Sequence, residues 1–208
     1  VTLAEDIDID TTVQVYSNSE ANSTANDTTD DVNVTTNDDT IRNIENVIGT
    51  SGNDTFTGNT GINTFIGGAG NDTVQYNYGA LTSGVTVNLN TGFATESLGT
   101  VIDTITAIEN VVGSNFDDSF ITKAGETNIV DAGEGSETVG DMIDYSSNGA
   151  TKIVIDLTAL DGNNFADAVV SGTVASTDKL KNIENITATN GNDTIKGSVD
   201  KNIIYALS

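Results

Sequence analysis

Residues 49–75 consist of one nine-residue pattern written three times without a gap. Glycines and small polar residues fill most of the first six places of each copy, and an apolar residue fills the eighth, at Phe56, Phe65 and Val74. Glycine adopts the positive φ values that tight turns need, and the residues after each turn alternate in polarity like a short strand with one buried face. A turn and a strand every nine residues make half a coil of a solenoid, so the pattern predicts an all-β fold with coils of about 18 residues.

The third copy, residues 67–75, matches the pattern G-G-x-G-x-D-x-U-x at every place, with Asp72 sixth and Val74 as the large apolar residue U. It resembles the calcium-binding repeat of the RTX family, which folds as a parallel β-roll. The resemblance implies that carbonyl oxygens of the turns and the sixth-position aspartate bind Ca²⁺. Carried over to the first and third copies, the predicted metal ligands are Asp54, Asp72, Gly49, Ser51, Gly67, Gly68, Ala69 and Gly70.

The spacing of the aspartates supports the same ligand. Asp54 and Asp72 lie one predicted coil apart, and stacked strands are about 4.8 Å apart. Two carboxylates at that separation repel each other unless a cation lies between them, and calcium binds carboxylate and carbonyl oxygens. Asn63 replaces the aspartate in the middle copy, so the opposite edge is predicted to hold a weaker site or none.

The nonapeptides belong to a longer unit. Its first residues, Ile-Glu-Asn, recur at 44–46, 108–110 and 183–185. Asp54, Asp118 and Asp193 follow this signature at a constant distance, which predicts a block of rigid length. In the second block Glu137 replaces the next aspartate, with one residue more than a full coil between it and Asp118. The predicted metal ligands therefore also include Asp118, Glu137 and Asp193.

The repeats predict one elongated domain over residues 1–208, a parallel β-solenoid in which wider coils or an added sheet connect the nonapeptide blocks. The blocks are predicted at about 41–76, 105–145 and 180–208, and the connectors at 17–40, 77–104 and 146–179. The eighth positions are predicted to stack as a buried ladder, formed by Phe56, Phe65, Val74, Phe120, Ile129, Val139, Ile195 and Ile204. The polar connector 17–40 is predicted to be a loose loop.

The composition argues against several classes of function. Only 7 basic residues face 31 acidic ones, which gives a net charge of −24, whereas nucleic acids and anionic membranes bind basic patches. The chain has no histidine and no cysteine, so Ser–His pairs, thiolate metal sites and disulfides are excluded. No apolar run is long enough to span a membrane. We therefore expect no catalysis, no nucleic-acid partner and no membrane insertion, and we interpret the recurring carboxylates as calcium ligands.

These features predict a calcium-stabilised structural module outside a bacterial cell, as part of a surface layer, filament or adhesin. The alternative is a calcium-binding C-terminal appendage of a type-I-secreted enzyme or toxin. Because both ends of the chain resemble incomplete coils, we expect self-association, either head-to-tail or in a lattice. Contact with a glycan or with ice through a threonine ladder is a third alternative, although the threonines are irregularly spaced.

Overall fold

The computed structural model describes residues 14–16, 46–49, 51–59, 61–78, 81–96 and 101–207. Every regular element in these ranges is a β-strand, and none of them forms a helix that could cross a bilayer. The strands are β1 (Gln14–Tyr16), β2 (Asn46–Ile48), β3 (Thr55–Thr57), β4 (Asn63–Ile66), β5 (Thr73–Gln75), β6 (Val85–Asn88), β7 (Phe93–Glu96), β8 (Val101–Thr106), β9 (Asn110–Val112), β10 (Ser119–Ile121), β11 (Ile129–Asp131), β12 (Met142–Asp144), β13 (Lys152–Leu160), β14 (Ala166–Ser171), β15 (Ser176–Lys181), β16 (Asn185–Thr187), β17 (Thr194–Lys196) and β18 (Ile204–Tyr205). The predicted connector 17–40 lies outside the described residues.

The strands form two sheets around one apolar core. The ten-stranded sheet has the order β1-β2-β4-β8-β7-β6-β10-β12-β16-β18, and the eight-stranded sheet has the order β17-β13-β14-β15-β11-β9-β5-β3. Nonapeptide strands alternate between the sheets and pair in parallel, and Phe56 of β3 lies opposite Val74 of β5. In this register two nonapeptides make one coil, so the predicted all-β parallel roll is confirmed.

Each connector adds strands to an existing sheet. The first connector supplies β6, β7 and β8, which form an antiparallel meander within the ten-stranded sheet. The second supplies β13, β14 and β15, which form the same meander within the eight-stranded sheet. The outer strands of each meander return to parallel pairing, β8 with β4 and β15 with β11. The connectors are therefore coils widened by a meander within an existing sheet, and not an added sheet.

Within the described residues, the units β2–β8 and β9–β15 contain seven strands each. Because each unit crosses between the sheets an odd number of times, corresponding strands fall in opposite sheets. The first strand of each unit shows this: β2 lies in the ten-stranded sheet, β9 in the eight-stranded sheet and β16 in the ten-stranded sheet again. Equivalent positions of successive units therefore lie on opposite sheets.

Most of the predicted apolar ladder forms the core. Phe56 and Phe65 are buried and stack with ring centroids 5.3 Å apart. The prediction was wrong at three positions, since Ile204 is 42% exposed and, in the second unit, Ile129 and Val139 are 39% and 55% exposed. In the second unit the places of Ile129 and Val139 in the core are taken by fully buried side chains one and four residues further on, Val130 and Ile143.

Candidate metal centre

Carboxylates at or near the N-terminal ends of the strands form a hydrogen-bonded ladder that runs across the eight-stranded sheet. Asp72 Oδ1 accepts the Asp54 N–H at 2.8 Å, and Glu109 Oε2 accepts the Asp72 N–H at 2.9 Å. Further along, Asp178 Oδ1 accepts the Asn128 N–H at 3.1 Å. Each carboxylate thus binds the backbone of the neighbouring coil, and one of its two oxygens is used for this contact.

A second ladder of the same kind runs across the ten-stranded sheet, at or near the N-terminal ends of its strands. Asp103 Oδ1 accepts the Asn63 N–H at 2.8 Å, and Asp141 Oδ1 accepts the Asp118 N–H at 2.7 Å. Glu184 Oε2 accepts the Asp141 N–H at 2.9 Å. Both ladders follow from the alternation of units between sheets, which carries equivalent acids to both edges.

Glycine at the first place of a turn lets oxygen atoms of two coils approach one another. A Cβ on Gly67 would collide with the Ala107 carbonyl oxygen of the next coil and with the Asp72 carboxylate of its own turn. A Cβ on Gly49 would collide with the Gly67 carbonyl oxygen and lie 2.6 Å from Asp54 Oδ2. Because these glycines have no side chain, a carbonyl oxygen of the neighbouring coil can lie close to the carboxylate of the same turn.

Two carboxylates of the ladders keep one oxygen buried without a hydrogen-bond partner: Asp72 Oδ2 and Asp141 Oδ2. Burial raises the pKa of both carboxyls, to about 9 for Asp141, and it raises the pKa of Asp103, which lies beside the Tyr76 hydroxyl, to about 6. A buried anionic oxygen without a donor is costly. Calcium binds such oxygens together with backbone carbonyls, so the residues present fit this ion.

The structure brings Asp54 and Asp72 together on neighbouring coils, as the spacing predicted. The other ligands predicted with them lie in the same two turns. Gly67 and Asp72 are buried there, whereas Ser51, Gly68, Ala69 and Gly70 are exposed, and Gly49 is intermediate. When bound, calcium would neutralise Asp54 and Asp72, held by these carboxylates and by turn carbonyls. This ligand set stays a prediction.

Asp118 and Asp193 differ from Asp72 because protein donors engage both of their oxygens. Asp118 Oδ1 accepts the Val85 N–H and its Oδ2 accepts the Ser114 N–H, each at 2.6 Å. Asp193 repeats this arrangement, with Oδ1 on the Ile153 N–H at 2.8 Å and Oδ2 on a turn N–H at 3.0 Å. Both aspartates fix the start of an inserted meander, at β6 and β13.

Glu137 does not occupy the place beside Asp118 that its spacing predicted. β10 pairs with β12, and this register places Asp141 next to Asp118. The turn 132–141 is longer than a nonapeptide turn, and Glu137 lies within the additional residues. Counting residues underestimated the length of the insertion, because Glu137 has the right charge for a position that Asp141 fills.

The Ile-Glu-Asn signature has a structural role that the sequence analysis missed. Glu184 binds the N–H of Asp141, and Asn185 Nδ2 donates to the Gly140 carbonyl at 2.9 Å. Asn185 Oδ1 accepts the Ile203 N–H of the following coil at 2.9 Å. The signature therefore holds the turn before it and the strand after it. In the sequence, the constant distance from the Ile-Glu-Asn signature to the next aspartate was the feature that indicated this role.

Buried tyrosines lie beside the aspartates where parallel pairing gives way to a meander. Tyr145 is fully buried, and its hydroxyl donates to Asp178 Oδ2 at 3.1 Å. Burial is the main reason that the pKa of Asp178 is raised to about 6. Tyr76 occupies the corresponding place in the first unit, where burial and then the charge of Asp103 raise the pKa of its hydroxyl.

Replacing Tyr145 by phenylalanine is expected to lower the free energy of unfolding by about 1–3 kcal/mol, since it removes the hydroxyl that donates to the buried Asp178 Oδ2. Urea denaturation at a fixed calcium concentration measures the change. Tyr205→Phe is the matched control, because Tyr205 is 49% exposed. Equal midpoints for the two variants would contradict the role of this hydrogen bond.

Two stretches, residues 48–77 and 182–208, match the model of the RTX calcium-binding nonapeptide repeat in four copies. The first contains the Asp54–Asp72 pair, and the second contains Glu184 and Asp193. No significant match to a curated protein is found. The matched stretches are the parts of the coil that consist of turns and short parallel strands.

Proposed function

We propose that the chain, which carries RTX nonapeptide repeats of the kind that bind Ca²⁺, is a structural module whose fold depends on that ion. The observation that carries the proposal is Asp72, which is fully buried with Oδ2 unpartnered. The neighbouring charge of Asp54 adds to the burial that raises the Asp72 pKa. A bound cation removes both penalties.

We propose that the module acts at the bacterial cell surface, within a surface layer, filament or adhesin. RTX repeat proteins are typically secreted, and extracellular calcium modules bind the ion at about 10⁻⁴ to 10⁻³ M. A net charge of −24 opposes compaction when calcium is scarce, as it is in the cytosol. The chain would then fold where calcium is plentiful.

Calcium titration tests this function. Far-ultraviolet circular dichroism and calorimetry should show more β-structure and a higher Tm as calcium is added. At a calcium concentration about tenfold above Kd, each site should contribute about 1.4 kcal/mol. Magnesium at equal ionic strength is the control for screening of the acidic charge. A spectrum and a Tm that a chelator leaves unchanged would refute the proposal.

Self-association is a second proposal, supported by β18. Among the described strands it pairs only with β16, and its residues Ile204 and Tyr205 are 42% and 49% exposed. An open edge with apolar side chains is a template for another chain. Light scattering in calcium should show assembly that Ile204→Lys weakens and Val199→Lys, at an exposed site outside the strands, does not. Wild-type protein that stays monomeric at high concentration would exclude it.

A further inference from the structure

The widened turn of the second unit carries a carboxylate that the first unit lacks. Asp141 corresponds to Asp72, since each precedes the fourth strand of its unit, and the backbone N–H of each binds a signature glutamate. The turn before Asp72 is a regular nonapeptide turn, whereas the turn before Asp141 has additional residues that include Glu137. The two places therefore differ in charge as well as in length.

The additional carboxylate lies beside the two that the ladder supplies. Glu137, Asp141 and Glu184 each offer a carboxylate oxygen within 4.8 Å of the others. In the described ranges they are the group of three such side chains that meets this limit. Oxygens bound to one calcium ion at about 2.3–2.6 Å lie at most roughly 5 Å apart, so these three oxygens can share one ion.

Asp141 supplies a second observation that is independent of the clustering. Its side chain is fully buried, and Oδ2 has no hydrogen-bond partner. Oδ1 is held by the Asp118 N–H at 2.7 Å, so Oδ2 is the free acceptor of this carboxylate. Glu184 Oε2 is fixed on the Asp141 N–H, and Glu137 Oε1 is 3.2 Å from the Gly135 nitrogen.

The turn around the cluster is held by contacts that need no ion. Asp117 Oδ1 accepts the N–H groups of Thr138, Val139 and Gly140 at 2.8–2.9 Å. Asn185 donates from the other side to the carbonyl of Gly140. The backbone next to Glu137 and Asp141 is therefore fixed in advance, which lowers the entropic cost of binding a ligand.

We propose that Glu137, Asp141 and Glu184 form a calcium site in the widened turn of the second unit, in addition to the Asp54–Asp72 pair of the first unit. All three ligands are carboxylates, which favours a hard divalent cation over a transition metal. Backbone carbonyls or water would complete the coordination. The choice of calcium rests on the proposed function, whereas the existence of a cation site rests on the geometry of these three residues.

The site joins parts of the chain that the second connector separates. Asp141 precedes β12 and Glu184 precedes β16, and these strands are neighbours in the ten-stranded sheet although the whole meander β13–β15 lies between them in sequence. An ion held by both residues ties the coil before the meander to the coil after it. Ordering of the third unit would then depend on this site.

Isothermal titration calorimetry on the full chain tests the assignment by counting calcium ions. Glu137→Gln keeps an acceptor for Gly135 but removes the charge, and it is expected to lose one ion per chain or to weaken one site at least tenfold. Asp141→Asn should have the same effect, and its Oδ1 still accepts the Asp118 N–H. Glu126→Gln is the matched control, because Glu126 pairs with Lys123 outside the cluster.

The outcomes separate this inference from the proposed function. Wild-type protein that binds no calcium would overturn both. Wild-type binding with full stoichiometry and affinity in Glu137→Gln would overturn the inference alone. Asp72→Asn should remove a different calcium site, so the double variant Asp72→Asn with Glu137→Gln should bind one ion fewer than either single variant. If Asp141→Asn does not fold, Glu137→Gln decides, provided that its circular dichroism without calcium equals that of the wild type.

Discussion

Replacing Gly113 by alanine is expected to lower the free energy of unfolding by about 4 kcal/mol. The new Cβ would collide with the Ala132 carbonyl oxygen and lie 2.5 Å from Asp118 Oδ2 and 2.8 Å from the ring of Phe120. One methyl group would thus disturb the contact between coils, the carboxylate that holds the meander and the core. Overpacking alone costs about 1–3 kcal/mol, and a broken buried hydrogen-bond network adds a similar amount.

Gly162→Ala is the matched control for this experiment. No atom lies within 4 Å of the place where its Cβ would be, so the same change should be neutral or slightly stabilising. Chemical denaturation of both variants in saturating calcium gives the two values. If Gly113→Ala were as stable as Gly162→Ala, the tight approach of the coils at Gly113 would be wrong.

The second large effect concerns pH. Without calcium, the Tm should fall as pH rises from 5 to 8. Burial raises the pKa of Asp103 and of Asp178 to about 6 in the folded chain, whereas an unfolded aspartate titrates near 3.9. The folded state binds these protons more tightly, so its advantage is complete below about pH 4 and is lost as pH rises through 6. Asp141, with a pKa of about 9, extends the loss to higher pH.

Each of the two shifts to about 6 corresponds to roughly 3 kcal/mol, of which about half is lost above pH 5, so together they should lower the Tm by on the order of 10 °C between pH 5 and 8. Asp156 does not contribute, because hydrogen bonds from Thr158 and Lys196 hold its pKa at about 2. Calcium binds the ionised carboxylates, so the difference in Tm between loaded and calcium-free protein should widen with pH.

Calorimetry between pH 5 and 8, with and without chelator, measures both trends. Asp103→Asn keeps an acceptor for the Asn63 N–H and should flatten the pH dependence of the calcium-free protein. A calcium-free Tm that rises over this interval would show that the buried carboxylates do not have raised pKa values.

The sequence predicted best where the chain repeats without interruption. Residues 49–75 specify a turn, a strand and one inward apolar residue at each step, and local preference and packing agree there. The register of β3 and β5 and the pairing of Asp54 with Asp72 follow directly from the nine-residue period. Parallel stacking at a fixed coil length leaves no freedom in which residues meet.

The prediction was less accurate wherever the coil length changes. Glu137 and Val139 have the chemistry of the repeat, yet Asp141 and Ile143 occupy the ladder and the core. A turn can absorb extra residues at small cost, so residue counting cannot locate an insertion. The connectors posed a similar problem, because alternating polarity predicts strands without specifying which sheet or direction they take.

Because each unit crosses between the sheets an odd number of times, adding further units would alternate the side on which equivalent residues lie. A motif copied at the same place in every unit would face one way, then the opposite way, and would return to the first direction only in every second copy. Any bulk that one insertion adds to one side is balanced by the next insertion on the other, which favours a straight rod over a curved one. A partner that lies along one side would therefore meet half of the copies, spaced two units apart, and the other half would be free to bind a second partner on the opposite side.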